Sequence, residues 1–228
     1  MTRRAYLAVA GVAALIAAGL IGASLVSAKA DSKPASPHSS TEAASILAGI
    51  PQHGNVLGRQ NAPVTLVEFA DLQCPYCATW SNTAFPQIVR DYVRPGKVRI
   101  VFAGVAFLGP DSERGLRFAF AAGNQGKLWD TTHMLYAQQG AENSGWLSDN
   151  VLRELGTTIP GLDAERALRE SSTVDRQLAE ARGLADRAGV RGTPSFAAGP
   201  TNGKLVPVAV SSLDANALRP TLDSYLAG

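Results

Sequence analysis

The apolar positions of this chain change period several times, and each change marks an element. Val64 to Ala70 is nearly all apolar, with β-branched and aromatic residues, as in a strand buried on both faces. From Cys74 the spacing turns helical, through Trp80, Ala84, Ile88 and Tyr92. Pro86 lies inside that stretch and predicts a kink, because it removes a backbone donor and crowds the preceding turn. Residues 97–105 read as a second buried strand, so the order strand, helix, strand predicts a right-handed parallel crossover. Residues 54–58 are expected to form a short edge strand. The middle of the chain reads as helices: from a cap at Asp111 to Ala122, over 126–139, over 149–155 capped by Ser148, over 163–171, and over 174–188. Residues 189–194 form a turn. Residues 195–198 and 205–210 make a hairpin around Pro200-Thr201-Asn202-Gly203. A last helix starts at Asp214, with a break at Pro220. These elements predict an α/β fold: a mixed sheet of four or five strands interrupted by a helical subdomain.

The N-terminus follows a different pattern. After Arg3-Arg4, residues 5–28 carry no charge and are long enough to span a bilayer core of about 30 Å. The preceding arginines orient such a segment with everything after it outside the cytoplasm. Ala28-Lys29-Ala30 also has the form of a cleavage site, and Thr2 to Leu7 faintly echoes a twin-arginine export signal. Residues 1–30 are therefore expected to be a membrane anchor or a signal sequence. Residues 31–50 are expected to be a Ser/Pro-rich spacer and 51–228 the folded domain, with its helical insert at about 109–188. Either N-terminal reading exports the domain; an anchor makes it a single-pass membrane protein, cleavage a secreted or periplasmic one.

Composition adds little to this picture. The 228 residues are 46% hydrophobic and 18% charged with net charge +2, and no run of like charges suggests a nucleic-acid binder. The chemistry lies in the two cysteines, Cys74 and Cys77, the only ones in the chain. A metal clamp would need further ligands, and His38, His53 and His133 have no ligand spacing to the pair. A staple across so short a loop removes little unfolded-state entropy. A redox couple suits the position, because the sulfur of Cys74 lies at a helix N-terminus where backbone N–H groups favour a thiolate. Cys77 follows one turn later, and Pro75 fits the first helical turn.

The stretch Val67-Glu68-Phe69-Ala70-Asp71-Leu72-Gln73-Cys74-Pro75-Tyr76-Cys77 resembles the active-site segment of DsbA-like thioredoxin-fold thiol oxidoreductases. Gly189-Val190-Arg191-Gly192-Thr193-Pro194-Ser195-Phe196 is similar to that family's cis-proline loop, and residues 126–133 to its helical insert. The resemblance implies a thioredoxin fold, a central mixed sheet flanked by helices, with Cys74 as nucleophile and Cys77 as resolving thiol. It implies that Glu68 shuttles a proton to and from Cys77; the alternative is a surface glutamate at a sheet edge. Thr193-Pro194 is expected to hold a cis bond, with the Thr193 backbone pairing to an extended client, unless Pro194 merely starts a strand. Pro75-Tyr76 departs from the Pro-His of strongly oxidising members, so the potential stays open. Asp71 is expected to be a turn residue and His133 structural. Trp80, Phe107 and Trp129 belong either to the core or to a client groove.

The expected activity is disulfide formation in exported proteins. Extracytoplasmic reduction or isomerisation by the same dithiol, and non-catalytic binding of copper or a client, are the alternatives. No cofactor and no metal are expected. The expected partners are reduced or unfolded exported proteins and a membrane quinone-linked reoxidase of the DsbB or vitamin-K-epoxide-reductase type, with the chain itself a monomer.

Overall fold

The computed structural model describes residues 45–228, so the expected anchor at 5–28 and most of the spacer lie outside the described residues. Among the described residues no helix is long and apolar enough to cross a membrane. The sheet has six strands in the order β1-β2-β4-β3-β5-β6. They are β1 (Gln52–His53), β2 (Val56–Leu57), β3 (Val64–Ala70), β4 (Val98–Gly104), β5 (Ser195–Pro200) and β6 (Val206–Val208). Only β3 and β4 run parallel; the other pairings are antiparallel. The expected count of four or five strands is short because β1 has only two residues, too few for any period to show. β1 also takes the sheet edge, so β2 is not the edge strand the sequence suggests: it pairs with both β1 and β4.

Every residue of β3 is buried, since β4 and β5 flank it and helices cover both faces. At the other edge, β6 tolerates Pro207 because only one of its sides pairs. The turn between β5 and β6 closes with Gly203 N–H donating to Pro200 O, and Asn202 takes the left-handed conformation at φ 69°.

Helix α1 (Pro75–Thr83) leads into α2 (Phe85–Ile88) and a π turn at Val89–Val93. The regular helix lapses at Ala84, two residues before Pro86, although Ala84 keeps right-handed helical angles. The missing Pro86 N–H leaves no fourth-residue bond to Asn82 O, which loosens that turn. Five helices follow β4: α3 (Pro110–Gly123), α4 (Leu128–Ala137), α5 (Asp149–Thr157), α6 (Ala164–Glu170) and α7 (Asp175–Arg187). Asp111 does not cap α3. Pro110 is already helical, Gly109 holds the cap position, and the Asp111 carboxylate accepts from Arg114 Nη1 and Gly145 N instead. Ser148 stands at the cap position of α5 without a side-chain hydrogen bond, whereas Asp163 accepts from Arg166 N at the start of α6. Asp214 caps a short 3-10 turn, and the last helix, α8 (Arg219–Ala227), begins afresh with Pro220 in its first turn.

The core centres on β3 and β4. Phe69, Phe102, Leu66 and Ile100 are sealed between the helical layers, with Trp80 and Phe118 packed over them. Fully burying each such side chain contributes about 1.5–3 kcal/mol, and that packing holds the end of β3 rigid where the cysteines begin.

Candidate active site

Chain leaving the C-terminal end of β3 turns through Asp71-Leu72-Gln73 and enters α1 at Pro75. Cys74 is the N-cap, extended at φ −72° and ψ 119°, so its sulfur sits beside the unpaired amides of the first turn. Cys74 is 5% exposed and Cys77 fully buried, while Tyr76 between them is 65% exposed. Both sulfurs are reduced. The Thr193–Pro194 peptide is cis, and Thr193 O lies 3.2 Å from Cys74 Sγ. The tertiary fold thus brings together two segments 119 residues apart.

The two thiols are driven in opposite directions. A hydrogen bond from the Cys77 thiol is the largest influence on Cys74. It outweighs partial burial and, with Thr193 and the amides of Cys77 and Tyr76, lowers Cys74 from 9.0 to about 6. Cys77 is pushed well above 9.0, first by burial and then by the negative Cys74 sulfur. At neutral pH, Cys74 is the thiolate and Cys77 the thiol.

Glu68 projects from the middle of β3 and is 3% exposed. Burial raises its carboxyl from 4.5 to about 7; Trp80 opposes this, although its indole N–H makes no hydrogen bond of normal geometry. No direct hydrogen bond joins Glu68 to either sulfur among the described residues. Tyr136 of α4 links the groups electrostatically. Its pKa lies well above 10 because it is buried and because Cys77, Glu68, Asp71 and Cys74 add negative charge around it.

Asp71 is more than a turn residue. It is fully buried and accepts from Gln73 N, Phe107 N, Leu108 N and Ser112 Oγ at 2.5–2.9 Å. Gln73 bridges on to Asn143, accepting from its N–H at 2.6 Å. Gln139 Nε2 donates to Leu72 O and Cys74 O, and Tyr136 Oη donates to Asp71 O. The helical insert therefore holds the redox turn by its backbone. These positioning residues escape a sequence reading because their partners lie 36 to 70 positions away.

Phe107 is 43% exposed on the loop that Asp71 pins beside the turn. Trp80 does not line a groove: it is 1% exposed and packs edge-on against Phe196, with ring centroids 4.7 Å apart. Its place on the inner face of α1, one turn past Cys77, turns it into the sheet. Trp129 is also buried, stacked on Phe85. His133 is buried and hydrogen-bonded to Ser81 at 2.9 Å. Among the described residues no three His, Cys, Asp or Glu side chains gather as a metal site.

Comparison with known proteins agrees with this geometry. The family model described as Thioredoxin matches residues 52–213. A probable disulfide bond formation protein D of Bacillus cereus is 30% identical over 144 residues, covering 61% of this chain and 67% of the relative. A thioredoxin-like oxidoreductase from Silicibacter pomeroyi superposes with a TM-score of 0.59 at 31% identity, over 76% of this chain and 92% of that one. Oxidised BdbD from Bacillus subtilis shares the fold, with a TM-score of 0.67 at 24% identity over 78% of this chain and 98% of that one. The chain belongs to the thioredoxin family and is a DsbA-like thiol:disulfide oxidoreductase.

Proposed function

We propose that this protein is an exported oxidase that passes its Cys74–Cys77 disulfide to cysteines of secreted proteins. The observation in favour of that direction is the acidity of Cys74, held at about 6 while Cys77 is held well above 9: this is below the value of about 7 in thioredoxin and above the value of about 3.5 in DsbA. A stabilised thiolate favours the reduced enzyme, which makes its disulfide a stronger oxidant. Lowering Cys74 from 9.0 to about 6 stabilises the reduced form at pH 7 by about 1.4 kcal/mol, or about 30 mV for a two-electron couple. Solvent around the partly accessible sulfur trims that figure. The name of the Bacillus cereus relative, a probable disulfide bond formation protein, supports the same direction.

In this reading Cys74 is the nucleophile and Cys77 the resolving thiol. Glu68 returns and collects the Cys77 proton, relayed by Tyr136 or a water. Pro75 starts the helix that stabilises the thiolate, and the cis Thr193–Pro194 loop offers backbone to an extended client. Tyr76 and Phe107, both exposed near Cys74, supply apolar contact for unfolded chain. Residues 5–28 hold the domain at the outer face of the membrane, where a quinone-linked reoxidase of the DsbB or vitamin-K-epoxide-reductase type restores the disulfide. Reduction or isomerisation of client disulfides is the second reading. Tyr76 favours it, since it adds no positive charge beside the thiolate.

The deciding experiment is the Cys74–Cys77 reduction potential in a glutathione buffer. A value between about −120 and −200 mV supports the oxidase, and one near −270 mV overturns it in favour of a reductase.

A further inference from the structure

Behind Glu68, on a side that Cys77 does not line, the core contains a cavity of about 10 Å³. Its polar lining is Glu68 from β3, Ser81 from α1, and Thr132, His133 and Tyr136 from α4. Phe85, Phe102 and Trp129 close it with aromatic rings. A polar cavity of roughly 10–15 Å³ admits one water, given two to four polar partners. This one is at the lower bound in size, and beside the Glu68 carboxyl its hydroxyl oxygens offer a water their lone pairs, although their other bonds are made elsewhere. Ser81 and His133 are already joined at 2.9 Å, Thr132 Oγ1 donates to Trp129 O, and Tyr136 Oη is committed to Asp71 O. Ser81 follows Cys77 by four residues on the buried face of α1, so the redox helix itself carries one wall of the cavity.

We propose that this cavity is a single-water site that solvates the Glu68 carboxylate while its proton resides on Cys77, with Ser81 and His133 as positioning residues. This rests on the shuttle role of Glu68 proposed above. The balance is as follows. A client thiolate attacks Cys74 Sγ, the Cys74–Cys77 bond breaks, and its electron pair leaves on Cys77. Glu68 supplies the proton that neutralises that thiolate. A second client thiolate then displaces Cys74 as a thiolate, and the client has lost the two electrons the protein gained. Glu68 is left as a buried carboxylate until reoxidation returns the Cys77 proton. Such a charge in an apolar strand is costly unless it is hydrogen-bonded. The titratable groups within reach are Cys77 on α1, Cys74 and Asp71 in the turn, and Tyr136 and His133 on α4; β4 and α2 present only aromatic rings to the cavity.

The test is a carbon NMR titration of the Glu68 carboxyl in the reduced protein, for wild type, Ser81→Ala and His133→Phe. A parallel pH profile of disulfide reduction by dithiothreitol is recorded for each. Burial of the carboxyl beside Trp80 alone sets it at about 7, and with the water in place wild type is expected to titrate below that value. Each variant is expected to bind the Glu68 proton about tenfold more tightly, with its pH profile displaced equally. A purely structural role would lower the melting temperature and leave the Glu68 midpoint in place. An unchanged or lowered midpoint in a folded variant overturns the proposal, and Ser81→Ala, which loses one hydroxyl, decides if His133→Phe does not fold. Glu68→Gln separates the two readings. If it leaves the pH profile of disulfide reduction unaltered, the shuttle role falls, whereas a lost inflection with unshifted Ser81→Ala and His133→Phe midpoints sinks the water site alone.

Discussion

Replacing Cys77 by alanine isolates what makes Cys74 acidic. The largest influence on Cys74 is the hydrogen bond from the Cys77 thiol, and alanine removes that donor. The amides of Tyr76 and residue 77 remain, as does the contact with Thr193. A hydrogen bond to a charged group contributes about 1.5–3 kcal/mol, and one pKa unit corresponds to about 1.4 kcal/mol. The Cys74 midpoint should therefore rise by about one to two units, to about 7–8, short of the ordinary 9.0 because the helix-end donors survive. At pH 6 the thiolate fraction then falls from about one half to about one tenth or less. Cys77→Ser keeps a hydroxyl donor in place and should hold the midpoint within about half a unit of wild type. Alkylation of Cys74 by iodoacetamide as a function of pH reads both values, with ultraviolet absorbance of the thiolate as a second measure. A Cys77→Ala midpoint that stays near 6 refutes the reasoning and assigns the acidity to the helix N-terminus and Thr193.

Burial raises Glu68 from 4.5 to about 7, so between these values the folded protein keeps a proton that the unfolded chain has released. The resulting destabilisation is absent below about pH 4.5, grows as pH rises to about 7 and is complete above it, at about 3 kcal/mol. Glu68→Gln should match wild type near pH 4 and exceed it near pH 8 in urea denaturation of the reduced protein; equal stability near pH 8 would show that the carboxyl is well solvated. Asp71→Ala leaves Gln73, Phe107 and Leu108 amides and the Ser112 hydroxyl without their acceptor, at about 1–3 kcal/mol for each group that water cannot reach. A loss below about 2 kcal/mol by urea denaturation would mean that the turn rehydrates freely. Gln139→Ala removes two donations to the carbonyls of Leu72 and Cys74 and should cost about 1–3 kcal/mol. If Gln139 steadies the thiolate through the turn, the Cys74 alkylation profile of this variant broadens or shifts; an unmoved profile limits Gln139 to stability.

Local chemistry determined much of this protein from sequence alone. Val64–Ala70 is continuous apolar chain because both its faces are buried, and Pro75 after Cys74 marks the helix start because a first turn needs no N–H at that position. The same logic reaches Glu68, since a carboxylate between Val67 and Phe69 in such a strand is shut off from bulk solvent. What the tertiary structure decided is partnership. Trp80 and Phe107 are alike as apolar aromatics, yet one is sealed against Phe196 and the other half exposed. Asp71 reads as a turn residue, and only the return of the chain at Phe107 and Ser112 makes it the acceptor that ties the redox turn to the insert. The cis peptide beside Cys74 and the polar cavity behind Glu68 likewise depend on contacts far apart in the chain. Periodicity reports which way a side chain faces; it carries no information about what stands opposite.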